Sequence, residues 1–252
     1  MRSFLGTTLL TLVVCGLAGP ARSADDKDAK AVIDKAIKAL GGEAKLSKAK
    51  GLTWKSKGKI FRGGNENNFT SRTTVAGLDR FRNEFEGDFG GNKVKGVTVL
   101  DGDKGWRNFG ETGMELDAGG VANQKRTVYL QVIPTTLLPL KGKDFQVEGA
   151  GDEKVGDADA VVIKVTAPDG KDFKLYFDKT SGLVVKQVAK VVSFMGDEFT
   201  QETTYGNYKD FGGIKKATKI ESTRDSEKLL EAEITDFELL DEVDPKTFAE
   251  PK

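Results

Sequence analysis

The sequence predicts a mainly β protein of the α+β class: a single curved antiparallel sheet, or half-open β-barrel, of about ten or eleven strands with covering helices. Three observations predict it. From Leu52 onward apolar residues fall mostly at every second position, as in strands with one buried face. Clusters of Gly, Asp and Asn separate these runs at hairpin spacing. Helical spacing interrupts the pattern at the start and once in mid-chain. Residues 24–252 are expected to form one domain, because neither a Pro/Ser-rich linker nor a long internal repeat divides them.

The opening segment reads as a helix. Asp25, Asp26 and Asp28 suit a helix N-terminus, where the backbone dipole favours negative charge. Val32, Ile33, Ile37 and Leu40 follow at helical spacing, and Gly41-Gly42 stop the run. Glu43 to Ala49 allows one more turn around Leu46. Alternation then begins with Trp54-Ser56-Gly58-Ile60, Phe69-Ser71-Thr73-Val75 and Phe81-Asn83-Phe85, and continues at Val97-Val99 and Trp106. The pattern breaks between Ala118 and Leu140. A helix is expected there from about Gly120 to Val132, ended by Pro134, which lacks an N–H and crowds the preceding turn. Strands resume at Phe145-Val147, Val161-Ile163-Val165, Phe173-Leu175-Phe177 and Leu183-Val185. Phe199 to Tyr205, Ile214 to Ile220 and Leu230 to Phe237 complete the series. Lys164, Lys174, Lys186 and Lys190 share the face opposite the large apolar residues, so one side of the sheet is wet.

Residues 1–23 read as a cleaved export signal: Arg2, an apolar run from Phe4 to Leu17, a Gly19-Pro20 break and the small-residue site Ala21-Arg22-Ser23. The apolar run would span about 21 Å as a helix, short of a hydrocarbon core of about 30 Å. Cys15 follows Leu12-Val13-Val14, a loose likeness to a lipidation signal, but Val14 is bulky and the Cys falls within the apolar run. Beyond the leader the chain holds no Cys, and it has no His anywhere. Ser-His-Asp and Cys-His catalysis and the usual zinc sites are therefore out of reach, and no catalytic residue, metal or cofactor is expected. Export without disulfides points to a periplasmic or secreted bacterial setting. Removing the leader takes away Arg2 and Arg22 and no acid, so the remaining 229 residues carry a net charge of −2. No nucleic-acid partner is implied. Asp101, Asp103, Glu111, Glu115 and Asp117 lack the spacing of a calcium loop and read as a solvated hairpin.

Several stretches resemble the LolA/LolB-like lipoprotein-carrier superfamily. Leu100-Asp101-Gly102-Asp103-Lys104-Gly105-Trp106 is similar to its "DGK-x-x-W" hairpin, and Phe173 to Val185 to a later strand–turn–strand. Tyr205 to Ile214 resembles its "Y-x-D-Y-x-x-x-x-G-I" segments, and Val243 to Pro251 its "VD-x-x-x-F-x-x-P" close. The resemblance implies a half-open barrel with an apolar concavity for acyl chains of lipid or lipoprotein, non-catalytic and in transient contact with membranes. Arg72, Arg80 and Arg82 lie where the carrier's lid-closing arginine would fall, yet none stands in a matching motif.

Candidate cavity residues follow from alternation and from the covering segment. On the sheet they are Trp54, together with Phe69, Phe81, Phe85 and Trp106, these four expected on one face, with Phe173, Leu175 and Phe177 on a later strand. On the covering segment they are Tyr129, Val132, Leu137 and Leu138. Two functions fit: a non-catalytic binder or carrier of acyl chains, or a structural module with a filled half-barrel, partnered by an envelope protein. An open pocket of several hundred Å3 favours the first, a packed interior the second.

Overall fold

The computed structural model describes residues 24–193 and 196–251. The expected leader and Cys15 lie outside the described residues. Two helices open the fold, α1 (Ala24–Leu40) and α2 (Glu43–Leu46). A first arm of consecutive hairpins follows: β1 (Gly51–Arg62), β2 (Asn65–Ala76), β3 (Arg80–Phe89), β4 (Asn92–Asp101), β5 (Lys104–Phe109) and β6 (Thr112–Glu115). Helix α3 (Ala118–Thr136) and a 3-10 turn (Leu138–Lys141) lead to the second arm. That arm is β7 (Gln146–Val155), β8 (Ala158–Thr166), β9 (Asp172–Asp178), β10 (Val184–Val192), β11 (Glu198–Phe211), β12 (Ile214–Arg224) and β13 (Glu227–Leu240). A second 3-10 turn, Pro245–Phe248, closes the described chain.

The strands make one curved, open antiparallel sheet of thirteen, not a closed barrel. Within each arm neighbours in sequence pair, and the arms join where β1 pairs with β13. The expected ten or eleven strands undercount the sheet. Strand β6 is exposed along its whole length, so it carries no alternation of burial for a sequence pattern to reveal. The curvature follows from a length argument. Helix α3 touches β4 and β5 on one side and β10 on the other. In a flat sheet β5 and β10 would lie roughly 38 Å apart at about 4.8 Å per strand. A 19-residue helix is only about 28 Å long. The two arms must therefore curl toward each other, with α3 across the opening.

Helix α1 buries Ile33, Ile37 and Leu40 against the second arm, so its apolar stripe is used as expected. Gly41 ends it at φ 130°, and a Cβ there would run into the Gly213 carbonyl and Ile214 of the β11–β12 turn. Helix α3 departs from expectation at both ends. Asp117 caps it, its Oδ1 accepting from the Gly120 N–H at 2.7 Å. At the other end Pro134 sits inside the helix, which runs on through Thr136. The missing donor falls in the last turn, where Leu137 in left-handed geometry (φ 57°) donates its N–H to the Ile133 carbonyl at 2.8 Å. One lost bond near a helix end costs less than one in its middle, so the proline is accommodated.

The convex face holds its own small clusters. Phe248 is fully buried there beside Ala76 and Val99, with Trp106 packed against them and the Arg80 guanidinium 5.6 Å from its ring centroid. Two segments singled out in the sequence, the Trp106 hairpin and the Phe248 ending, thus meet each other. Lys164, Lys174, Lys186 and Lys190 also lie on this face, paired with Glu148, Glu153, Glu202 and Glu198.

Candidate functional site

Between α3 and the concave face lies a cavity of about 490 Å3. Pairing registers show how it is built. In β1 the inward positions are Trp54, Ser56 and Gly58, opposite Thr73, Ser71 and Phe69 of β2. On the other side, Ile220 and Ser222 of β12 face Ala232 and Leu230 of β13, and Thr203 of β11 faces Ser222. The side chains that line the hollow are therefore often small. A Ser or Thr at an inward position ends well short of the helix, whereas Phe or Leu would reach it.

Those hydroxyls and amides bond to each other along the floor. Ser56 Oγ and Ser71 Oγ are 2.7 Å apart, and Thr203 Oγ1 and Ser222 Oγ 2.9 Å. Asn83 Nδ2 donates to Thr73 Oγ1 at 2.9 Å, and Tyr205 OH to Gln187 Oε1 at 3.3 Å. Burial pushes the Tyr205 and Tyr208 phenols above the ordinary tyrosine range. Among the described residues two buried N–H groups on this wall lack an acceptor, Arg126 Nε and Gln187 Nε2. Leaving such donors unpaired away from water costs about 1–3 kcal/mol each.

Lys216 is the unusual group. It lies on β12 with its side chain lining the cavity, 9% exposed. Its Nζ donates to Thr135 Oγ1 at 2.5 Å and sits 5.4 Å and 5.7 Å from the ring centroids of Trp54 and Phe237. Thr135 stands in the last turn of α3, whose partial negative charge and the two ring faces favour a cation. Burial opposes them and pulls the amine down to about 7. At neutral pH it is poised between charged and neutral. Arg126 is 3% exposed and better compensated: it donates to the carbonyls of Lys171 (3.1 Å) and Asp172 (2.7 Å), with Asp169 at 3.5 Å.

The twelve expected cavity residues are dispersed. Trp54 and Phe69 stand on the cavity wall. Phe85 is half-buried and stacks on Phe69 at 5.8 Å. Phe81, Val132, Leu137, Phe173, Leu175 and Phe177 are packed in the main core. Tyr129 lies edge-on to Phe145 at 5.7 Å, and Leu138 is half-buried against the same core. Trp106 requires a correction. Phe81 pairs with Leu100 and Leu100 with Gly105, so Trp106, next along and opposite Val99, points to the convex face. Arg72, Arg80 and Arg82 share that outward register, and Arg82 Nη1 donates to the Thr247 carbonyl at 3.5 Å. The buried arginine on the concave side is Arg126, from α3 itself. Sequence reasoning passed over it and Lys216, although counting by twos from Ile214 puts Lys216, Thr218 and Ile220 on one face.

A larger depression of about 750 Å3 opens among Lys57, Lys59, Glu231 and Glu233. Its charges of both signs are exposed, with Lys57 and Glu233 paired at 3.3 Å. The α3 cavity is the better-enclosed of the two.

Solved structures share this architecture. A LolA superfamily protein from Nitrosomonas europaea matches with a TM-score of 0.56 at 13% identity, over 88% of this chain and 97% of that one. A DUF1329 family protein from Desulfovibrio piger matches at 0.53 and 12%, over the same shares. A domain assigned to outer membrane lipoprotein sorting, from Vibrio parahaemolyticus, matches at 0.51 and 10%, over 86% and 97%. No family profile and no curated protein sequence matches the chain. The protein has a LolA-like fold. Among the described residues no helix is long and apolar enough to cross a membrane.

Proposed function

We propose that this protein is a non-catalytic extracytoplasmic binder or carrier of lipid or lipoprotein acyl chains, held between α3 and the concave face. The cavity of about 490 Å3 carries the reading. It falls within the roughly 300–1,000 Å3 typical of small-molecule sites. Its apolar stretch, with Phe69, Leu130, Ile220, Leu230 and Ala232, suits a hydrocarbon chain. Each methylene withdrawn from water contributes about 0.8 kcal/mol. The LolA-like architecture of proteins named for lipoprotein sorting is in keeping with it. The same reading places the mature N-terminus near Ala24, outside the cytoplasm. Intact mass of the exported protein checks this, and a retained, lipidated Cys15 contradicts it.

A neutral apolar fluorophore such as N-phenylnaphthylamine should bind saturably and be displaced by lipid. Leu130→Glu, which puts a charge on the helix side of the hollow, should abolish uptake. Trp106→Gln, on the convex face, should leave it intact. Without saturable binding the protein is better read as an interaction module of the envelope.

A further inference from the structure

We infer that the ligand is an amphiphile with an anionic oxygen headgroup, a carboxylate or a phosphate, and that Lys216 holds that head at the α3 C-terminal end of the cavity. The inference rests on the lipid reading above and specifies its chemistry. Its first support is the charge of the wall. The whole chain has equal numbers of basic and acidic residues, 39 of each. Yet the described residues lining this cavity include Arg126, Lys216 and Arg224 and no Asp or Glu. An apolar chain alone gives no reason for that bias.

The second support is the difference among the three cations. Arg224 lies over the Phe199 ring at 4.5 Å with Asp197 at 4.0 Å. Arg126 has two backbone carbonyls and Asp169. Lys216 has three N–H donors when charged and one acceptor among the described residues, the neutral Thr135 hydroxyl. A buried ammonium without an anionic partner is costly, and an incoming oxyanion relieves that cost. A neutral ester or alcohol supplies acceptors without the charge.

The geometry also sets the order of head and tail. Lys216 and Thr135 mark one end, beside Trp54, while Phe69 lies several residues further along the paired strands β1 and β2. The head sits under the end of α3 and the chain runs past Ser56 and Ser71 toward Phe69 and Ala232. The other cations lining the cavity are Arg126, on α3 before Thr135, and Arg224, at the far end of β12 from Lys216. Both stay protonated at neutral pH. The Tyr205 phenol on β11 is pushed upward by burial and stays neutral. Lys216 is therefore the group on this wall that titrates near neutrality, and anion affinity should fall as pH rises through about 7.

The test is displacement of N-phenylnaphthylamine from the full protein by laurate, dodecyl phosphate, dodecanol and inorganic phosphate, at pH 6 and pH 9. At pH 6 one or both anionic amphiphiles should act at about tenfold lower concentration than dodecanol, and the stronger names the headgroup. At pH 9 that advantage should shrink severalfold. Lys216→Met should remove it, bringing the anions to the potency of dodecanol, and the pH arm on the unaltered protein decides the matter if the variant does not fold. Equal potency of dodecanol and the anions at pH 6 overturns the headgroup assignment and leaves the lipid reading standing. So does an anion advantage that persists undiminished in Lys216→Met. Displacement by inorganic phosphate as strong as by dodecyl phosphate overturns the amphiphile. Failure of the probe and all three C12 compounds to bind overturns the lipid reading itself.

Discussion

The concave face is packed at one end and hollow at the other, although the backbone is the same pleated sheet throughout. In the second arm the inward positions of β8 and β9 are Ile163, Val165, Phe173, Leu175 and Phe177, all nearly or fully buried. Under the middle of α3 the corresponding positions of β1, β2, β11 and β12 include Ser56, Ser71, Thr203 and Ser222. Only the first set fills the space above it. Side-chain length at inward positions, rather than strand geometry, separates core from cavity.

Substitutions can break this contrast in order of size. Phe177→Ala, in the packed end, should lower stability by about 3–5 kcal/mol in urea unfolding, as truncation of a fully buried Phe does. A loss below 1 kcal/mol would mean that the packed end is loose as well. The next effect belongs to Lys216. Its amine titrates at about 7 in the folded protein, against 10.5 for an unhindered lysine. Between those values the unfolded chain binds the extra proton, so unfolding free energy rises with pH across that window. In the ligand-free protein the gain should be on the order of a few kcal/mol, and Lys216→Met should remove it. Identical pH–stability slopes in the two proteins would show that Lys216 is well solvated.

Gly58 tests the wall itself. A Cβ there would strike the Glu231 carbonyl and the Ala232 Cα, so Gly58→Ala should cost about 1–3 kcal/mol by forcing β1 from β13. Ser71→Ala, in contrast, removes one hydroxyl from the open hollow and should cost no more than about 1 kcal/mol. Lys174→Ala on the convex face should stay within about 0.5 kcal/mol, since its pairing with Glu153 at 3.8 Å is exposed. Equal losses from Lys174→Ala and Phe177→Ala would contradict the register of β9.

Much of the packed end was legible in the sequence. The alternation of Phe173, Leu175 and Phe177 against Lys174 places the large residues inward, and the structure agrees. The stripe on α1 and its Gly41-Gly42 stop were equally plain. The hollow was harder to see because attention to large apolar residues overlooks a floor made of small polar ones. Ser56, Ser71 and Thr73 stood in the same alternating runs as Trp54 and Phe69, so their inward direction was readable while its consequence was not. Trp106 was misplaced because alternation within a short strand does not reveal how that strand registers with its neighbours. Strand β6 and the helical Pro134 escaped for a related reason, since an exposed edge and a terminal turn are stabilised by neighbours rather than by local preference.

By itself the sequence determined the β-rich class, the hairpin order and the inward face of the long strands. These are properties of neighbouring residues, repeated every few ångströms along the chain. The tertiary structure alone decided that α3 bridges both arms, that a gap remains beneath it, and that Lys216 faces that gap without an acid. Those depend on curvature accumulated across thirteen paired strands, which brings together residues such as Thr135 and Lys216, 81 positions apart in the chain.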